Sequence, residues 1–257
     1  MSGTEALLLV LVSGGAGLIN AVAGGGTLLT FPALVLLGVP QIVANATSTL
    51  ALVIGTGGSI FGFRRQVATL GPWLTRFVPV SLLGGWLGSF LLTHTHEDTF
   101  AHIVPFLILF ATVLFLAQGA LRRFSGRTHG VRDPRRKTLW IAIGFQFLVS
   151  VYGGFFGAGI GILMLASLGF LGFDDIHQMN ALKSVLGSLI NIVASLWFVW
   201  SGLIDWPKMA VMTLGALIGY FVGAHYSQRI PQARMRQLIT LIGLLISCRM
   251  FYRQFLS

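Results

Sequence analysis

Charge is what this chain has least of: only 9% of its 257 residues are Asp, Glu, Lys or Arg, against 55% that are hydrophobic. A water-soluble domain carries about 25% charged residues, so these few could not cover a surface facing water. Most of the surface must face lipid. Acid is scarcer than base, with seven Asp and Glu against seventeen Lys and Arg and a formal charge of +10. That excess alone would fit a nucleic-acid binder, but such a protein needs a basic face on an otherwise soluble domain. Here seven of the basic residues cluster between Arg122 and Lys137 (Arg122, Arg123, Arg127, Arg132, Arg135, Arg136, Lys137), and most others flank apolar runs. That is the pattern of cytoplasmic loops, and it excludes nucleic acid as a partner.

Cysteine is nearly absent. Cys248 stands alone, which rules out an internal disulfide and a CxxC zinc site. The first eleven residues hold Glu5 but no Lys or Arg, so they lack the basic flank of a cleaved signal peptide and read as the start of a membrane segment.

What is present is a series of long apolar runs: Ala6 to Leu37, Ile42 to Phe63, Trp73 to Leu92, Ile103 to Leu121, Leu139 to Phe173, Met179 to Trp200, Met209 to Tyr226 and Leu238 to Met250. About 20 apolar residues span a bilayer, so eight segments are expected in an all-α polytopic membrane protein. The first and fifth are too long for one span and too short for two. Each is interrupted by glycine, at Gly24-Gly25-Gly26 and at Gly153-Gly154, Gly157, Gly159 and Gly161. Such glycines serve either close helix packing or irregular backbone, which is tolerated at membrane depth only when buried in protein or lining a cavity.

The two halves align without a gap at an offset of 135 residues. Ala23-Gly24-x-Gly26-x-Leu28 falls on Ala158-Gly159-x-Gly161-x-Leu163, Asn45-Ala46 on Asn180-Ala181, Pro72 on Pro207, and Gly84-x3-Gly88 on Gly219-x3-Gly223. Gly-interrupted segments at matching positions of two halves point to a transporter's binding site. The expected organisation is a first membrane repeat over 1–121, a basic cytoplasmic linker over 122–137 and a second repeat over 138–257.

Loop charges bear on orientation. With the linker inside, the Arg64-Arg65 loop is also inside and the loop His94 to Asp98, which has no Lys or Arg, is outside. In the second half the bias swaps: Ser201 to Lys208 carries one Lys, whereas the counterpart of the His94 loop carries Arg229, Arg234 and Arg236. Inverted repeats predict that swap, with each Gly-broken segment re-entering or crossing twice, giving up to ten crossings. The arrangement leaves Arg249 and Arg253 outside, and a parallel repeat with eight simple spans is the competing topology.

All seven acids fall in expected loops or at segment ends. With no carboxylate at mid-membrane, cation carriers and carboxylate proton relays recede, and anionic or neutral solutes remain. The in-membrane polar residues follow the glycine breaks: Ala44-Asn45-Ala46-Thr47-Ser48-Thr49 after the first and Asn180-Ala181-Leu182-Lys183-Ser184 after the second. Amide and hydroxyl groups near a helix N-terminus suit an oxyanion. Lys183 could supply a matching positive charge or snorkel to the interface. His94, His96 and His102 with Glu97 and Asp98 read as a solvated loop rather than a metal site, since nothing fixes ligand geometry. No nucleophile and base pair can be picked out, so an enzyme is not expected and no cofactor or metal is called for; a membrane-embedded enzyme and a transporter of a different small solute stand as the alternatives to an anion carrier. Trp73, Trp140, Trp200 and Trp206 near segment ends read as interfacial anchors.

The chain resembles the sulfite exporter TauE/SafE family, also called the four-toluene-sulfonate-uptake permease family. The resemblance is carried by Ala23-Gly-Gly-Gly-Thr-Leu-Leu-Thr-Phe-Pro-Ala-Leu34 with Ala44-Asn-Ala-Thr47, and by Gly153-Gly-Phe-Phe-Gly-Ala-Gly159 with Asn180-Ala-Leu-Lys183. It implies a multi-pass protein of the bacterial inner membrane that carries small sulfur-containing anions such as sulfite, thiosulfate or organosulfonates, commonly outward, by alternating access. Its partners would be the anion and the bilayer, with a homodimer allowed. The expected binding residues are Gly24, Gly25, Gly26, Thr27, Asn45, Thr47 and Ser48 in the first repeat, and Gly157, Gly159, Gly161, Asn180, Lys183 and Ser184 in the second. The halves differ: Ser167 stands where Pro32 does, and Leu182-Lys183 where Thr47-Ser48 do.

Overall fold

A computed structural model describes residues 1–22, 25–62, 70–125, 136–171, 173, 176–226 and 232–255. Among these residues the chain is helical throughout: α1 (Gly3–Val22), α2 (Thr27–Leu36), α3 (Gln41–Gly62), α4 (Gly71–Thr93), α5 (Glu97–Ser125), α6 (Arg136–Phe155), α7 (Ile160–Phe170), α8 (Ile176–Trp200), α9 (Trp206–Tyr226) and α10 (Gln232–Phe255). α3, α4 and α5 begin at residues 41, 71 and 97, and α8, α9 and α10 begin 135 residues later, at 176, 206 and 232.

Local chemistry explains several starts. Ser2 Oγ accepts from the Glu5 N–H (3.2 Å) while Glu5 accepts from the Ser2 N–H (3.0 Å), a reciprocal cap on α1. Pro72 and Pro207 each occupy the second residue of a helix, where the missing N–H leaves nothing unpaired. Five described helices are long and apolar enough to cross a bilayer: Gly3–Ala21, Gly71–Thr93, Glu97–Ala117, Thr138–Phe155 and Gln178–Trp200. α2 and α7 have 10 and 11 residues, about 15 Å at 1.5 Å per residue, and so reach roughly half of the ~30 Å hydrocarbon core. Leu83, Phe106, Leu148, Leu196 and Phe221 are exposed on the outer faces, where lipid is the only suitable solvent. Trp140, Trp200 and Trp206 are exposed as well.

Directions follow from named contacts. α1 and α9 run parallel with backbones touching: Gly215 lies on Val10 and Ser13, Gly219 on Gly14, and Gly223 on Leu18 and Ala21. α4 and α6 do the same, with Gly84 on Phe147 and Ser150 and Gly88 on Val151 and Phe155. The Gly84-x3-Gly88 and Gly219-x3-Gly223 pairs are therefore packing glycines, where any side chain would force the helices apart. α4 also runs parallel to α8 (Gly85 on Ile190, Thr93 on Trp197), and α3 parallel to α9 (Thr47 on Asp205, Gly55 on Tyr220). α3 touches α8 at Thr56 and Ser188. α4 ends at Thr93, a three-residue turn before α5 begins at Glu97, and so runs opposite to α5. α10 opposes α5 through Gly243 on Thr112 and Phe251 on Phe106.

Glu97 accepts from the N–H groups of Gln41 and Ile42, so α5 starts beside the start of α3. Thus α1, α3, α5 and α9 point one way and α4, α6, α8 and α10 the other. The two ends of the bundle are called below the Glu97 end and the linker end. The core includes edge-to-face contacts of Phe31 with Phe100 (6.5 Å) and Phe156 (5.6 Å), and of Phe100 with Phe155 (5.7 Å), tying α2, α5 and the end of α6 together.

Candidate functional site

The first glycine break is narrow. Gly25 takes φ +94°, and any side chain there would enter the Phe115 ring of α5. Gly26 is already right-handed, with φ −56°, and caps α2, which Thr27 opens half-buried. Gly24 lies outside the described residues. The break is held from α1 by Asn20, whose Oδ1 accepts from the Gly26 N–H (2.7 Å) and whose Nδ2 donates to Tyr220 Oη of α9 (3.0 Å). Gly55 on α3 leaves the space that the Tyr220 ring fills.

Hydroxyls then connect this break to α3. Thr30 Oγ1 donates to the Gly26 carbonyl (3.2 Å) and lies 2.6 Å from Ser48 Oγ. A hydroxyl has one proton, so Ser48 donates to Thr30 and the chain runs Ser48, Thr30, Gly26. Ser48 and Thr30 are fully buried.

The second break is shorter than the glycine pattern implies. Gly153 and Gly154 are inside α6, packed on Ile190 and Gly85, and Gly161 is inside α7. The irregular backbone is Gly157 to Gly159, with φ +81° and +79° at the two glycines. Tyr152 holds it from its own helix: its carbonyl accepts from Phe156 and Gly157, and its Oη donates to the Ala158 carbonyl (2.6 Å). Gly159 lies on Ala111 and Leu114 of α5, and Gly25 on Phe115. Both breaks therefore meet adjacent turns of α5.

Asn45 is 1% exposed, and its Nδ2 donates to the Phe155 carbonyl at the end of α6 (3.1 Å). That carbonyl can only accept, which fixes the amide orientation and points Oδ1 elsewhere. Asn45 Oδ1 is buried without a protein partner, at a cost of about 1–3 kcal/mol if left dry. Thr47 Oγ1 accepts from the Asp205 N–H (3.0 Å), fastening the α8–α9 turn to α3, and Asp205 pairs with Lys208. In the second half, Asn180, Lys183 and Ser184 are half-buried along α8. The Lys183 alkyl chain passes Gly161, where a methyl group would stand 3.2 Å from its Cδ. α3 and α8 cross where Ser188 Oγ reaches Thr56 Oγ1 (3.3 Å). Since they run oppositely, Asn45 lies toward the Glu97 end and Lys183 toward the linker end.

The sequence reading passed over Asn20, Tyr220 and Gln146. Gln146 Nε2 donates to Ser81 (2.9 Å) and Ser150 (3.3 Å) inside the α4–α6 contact. Asn20 and Gln146 carried a usable signal: an amide inside an apolar run is costly and therefore marks a partner. Tyr220 carried none, because its partners sit on α1 and α3. The histidine loop has local duties, with Glu97 on α3 and His94 Nδ1 2.9 Å from the Phe90 carbonyl.

Apolar helices exposed to lipid around glycine-broken segments define a multi-pass membrane protein. The family model described as "Sulfite exporter TauE/SafE" matches residues 9–250. The chain belongs to the sulfite exporter TauE/SafE family. It is 29% identical over 243 residues to a "Probable membrane transporter protein" of Haemophilus influenzae, covering 93% of this chain and 91% of that one. It is 28% identical over 241 residues to "Probable membrane transporter protein YfcA" of Escherichia coli K12, covering 92% and 86%. "Probable membrane transporter protein YunE" of Bacillus subtilis is 20% identical over 276 residues, covering 98% and 99%. No solved structure matches the chain.

Proposed function

We propose that this membrane transporter is a secondary carrier of small sulfur-containing oxyanions, working outward across a bacterial inner membrane by alternating access between inverted halves. The observation that carries the reading is the meeting of both glycine breaks on adjacent turns of α5, at Phe115 for Gly25 and at Ala111 and Leu114 for Gly159. Each break joins a full helix to a half-length helix and is followed by a polar helix start. In carriers, substrate binds where such broken helices face each other.

Inversion is supported by direction, since α1, α3, α4 and α5 oppose α6, α8, α9 and α10 respectively. It is also supported by charge. Among the described residues, Arg122 and Arg123 near the end of α5, Arg136 and Lys137 at the start of α6, and Arg234 and Arg236 at the start of α10 fall at the linker end. That basic excess makes it the cytoplasmic end on this reading. Residues 1–121 and 138–257 are then the two repeats. The anion then meets Gly25, Gly26 and Thr27 toward one face and Gly157, Gly159, Gly161, Asn180, Lys183 and Ser184 toward the other, while Asn45, Thr47 and Ser48 are engaged in holding the helices around the first break. Lys183 supplies the positive charge, and the absence of acids from both motifs favours a negative cargo.

The test is flux in proteoliposomes with labelled sulfite, thiosulfate, sulfate and an alkyl sulfonate. Saturable movement of at least one sulfur oxyanion, lost in Lys183→Met, is expected. Flux of none of the four above that of protein-free vesicles would refute the reading.

A further inference from the structure

The first two turns of α3 hold an arrangement that oxyanion recognition does not use. Asn45 Oδ1 and Gln41 Oε1 are both buried acceptors without a protein donor. They are four residues apart, so they lie on one face of the helix. One of the two Asn45 amide N–H groups donates to the Phe155 carbonyl, and Thr49 Oγ1 already donates to the Asn45 carbonyl. Thr47 Oγ1 is an acceptor for Asp205 N–H. The buried polar atoms left without a partner here are the two amide oxygens, and beside them are the Phe155 carbonyl with its second lone pair and the negative end of α6, which terminates there.

The surrounding charge is of the same kind. The Glu97 carboxylate sits on the Gln41 and Ile42 N–H groups and offsets the positive end of α3. The nearby Lys208 ammonium is paired with Asp205. An anion would gain no hydrogen bond from these unpartnered acceptors. A cation would be held by the same means that carriers use at the C-terminal ends of broken helices, where freed carbonyls and neutral side-chain oxygens replace water. With no carboxylate among the ligating oxygens, the site favours a monovalent hard cation over calcium or magnesium, which draw on acidic ligands.

We infer that Gln41 Oε1, Asn45 Oδ1 and the Phe155 carbonyl form a sodium site at the Glu97 end. A cation bound against the second break would tie its shape, and so the transport cycle, to the sodium gradient. This goes beyond the anion reading, and its test needs no transported anion. The purified full-length protein in detergent is melted in sodium chloride and in choline chloride at equal ionic strength. A saturable rise in Tm specific to sodium is expected. Gln41→Leu should raise the half-saturating sodium concentration about tenfold or more, and Gln41→Glu, which adds a charge, should lower it. Gln41 is at the half-buried helix start, and melting in choline shows whether each variant is folded. Equal melting of the wild type in both salts would mean that ordinary water occupies the spot, and a sodium response unchanged in Gln41→Leu would move the ion elsewhere. Either result overturns the proposal.

Discussion

The two glycine breaks occupy equivalent places but are held by different means. Break one is fastened across the molecule: Asn20 of α1 grips the Gly26 N–H and hands its own amide proton to Tyr220 on α9. Break two is fastened chiefly within its own helix, through the carbonyl and Oη of Tyr152, with Asn45 of α3 holding the Phe155 carbonyl just before it. The 135-residue offset sets Phe155 against Asn20, Gly17 against Tyr152 and Gly85 against Tyr220, so neither device has a copy. The repeat keeps the backbone geometry and lets the fastening diverge. Break one is thus coupled to α9 through Asn20 and Tyr220, and break two to α3 through Asn45.

Steric substitution should separate the breaks most sharply. Gly25→Leu meets both the left-handed φ and the Phe115 ring, and should abolish flux in proteoliposomes while the protein still inserts. Gly159→Ala meets only the backbone term, about 1–2 kcal/mol, because the nearest atom to a methyl group there is 3.5 Å away. It should retain a measurable fraction of flux. Phe115→Ala should partly restore Gly25→Ala, and failure to do so would mean that the ring is not the obstacle.

The charge asymmetry comes next. Lys183 replaces Ser48 in the second half, so Lys183→Met should weaken sulfite dianion transport more than that of a sulfonate monoanion, since the lost Coulomb energy scales with substrate charge. Equal loss for both would leave the side chain a snorkelling or packing role. Competition assays over a concentration series measure the ratio.

The tethers should give the smallest effects. Asn20→Ala frees the Gly26 N–H and should lower stability by about 1–3 kcal/mol. Tyr220→Phe and Tyr152→Phe each remove one hydroxyl bond and should cost about 0.5–1.5 kcal/mol, read as Tm shifts in detergent. If break one is the cross-tethered one, Asn20→Ala and Tyr220→Phe will be non-additive, while Asn20→Ala and Tyr152→Phe will add.

Much of this architecture is legible in the sequence because lipid imposes simple rules. The apolar runs give the helices, Pro72 and Pro207 mark equivalent helix starts, and the Gly and Asn identities reveal the repeat. Glycine itself is ambiguous, and that is where reading fails. Gly153, Gly154, Gly84 and Gly88 all serve helix contact, whereas Gly25, Gly157 and Gly159 bend the backbone. Nothing in their local sequence distinguishes these uses, because the partner helix decides. The side chains around the breaks are hidden for the same reason. Asn45 looks like a free amide donor until Phe155, 110 residues away, is seen to take its proton.

The proposed transport cycle rests on the two halves lying oppositely in the membrane, and cysteine labelling tests that most directly. With Cys248 replaced by Ser, single cysteines are introduced at Thr95, in the turn before α5, and at Gln232, the first residue of α10. An impermeant thiol reagent applied to intact cells should label the cysteine at 95 and reach the one at 232 only after the membrane is opened. Labelling of both from the same side would contradict the inverted arrangement and restore a parallel repeat.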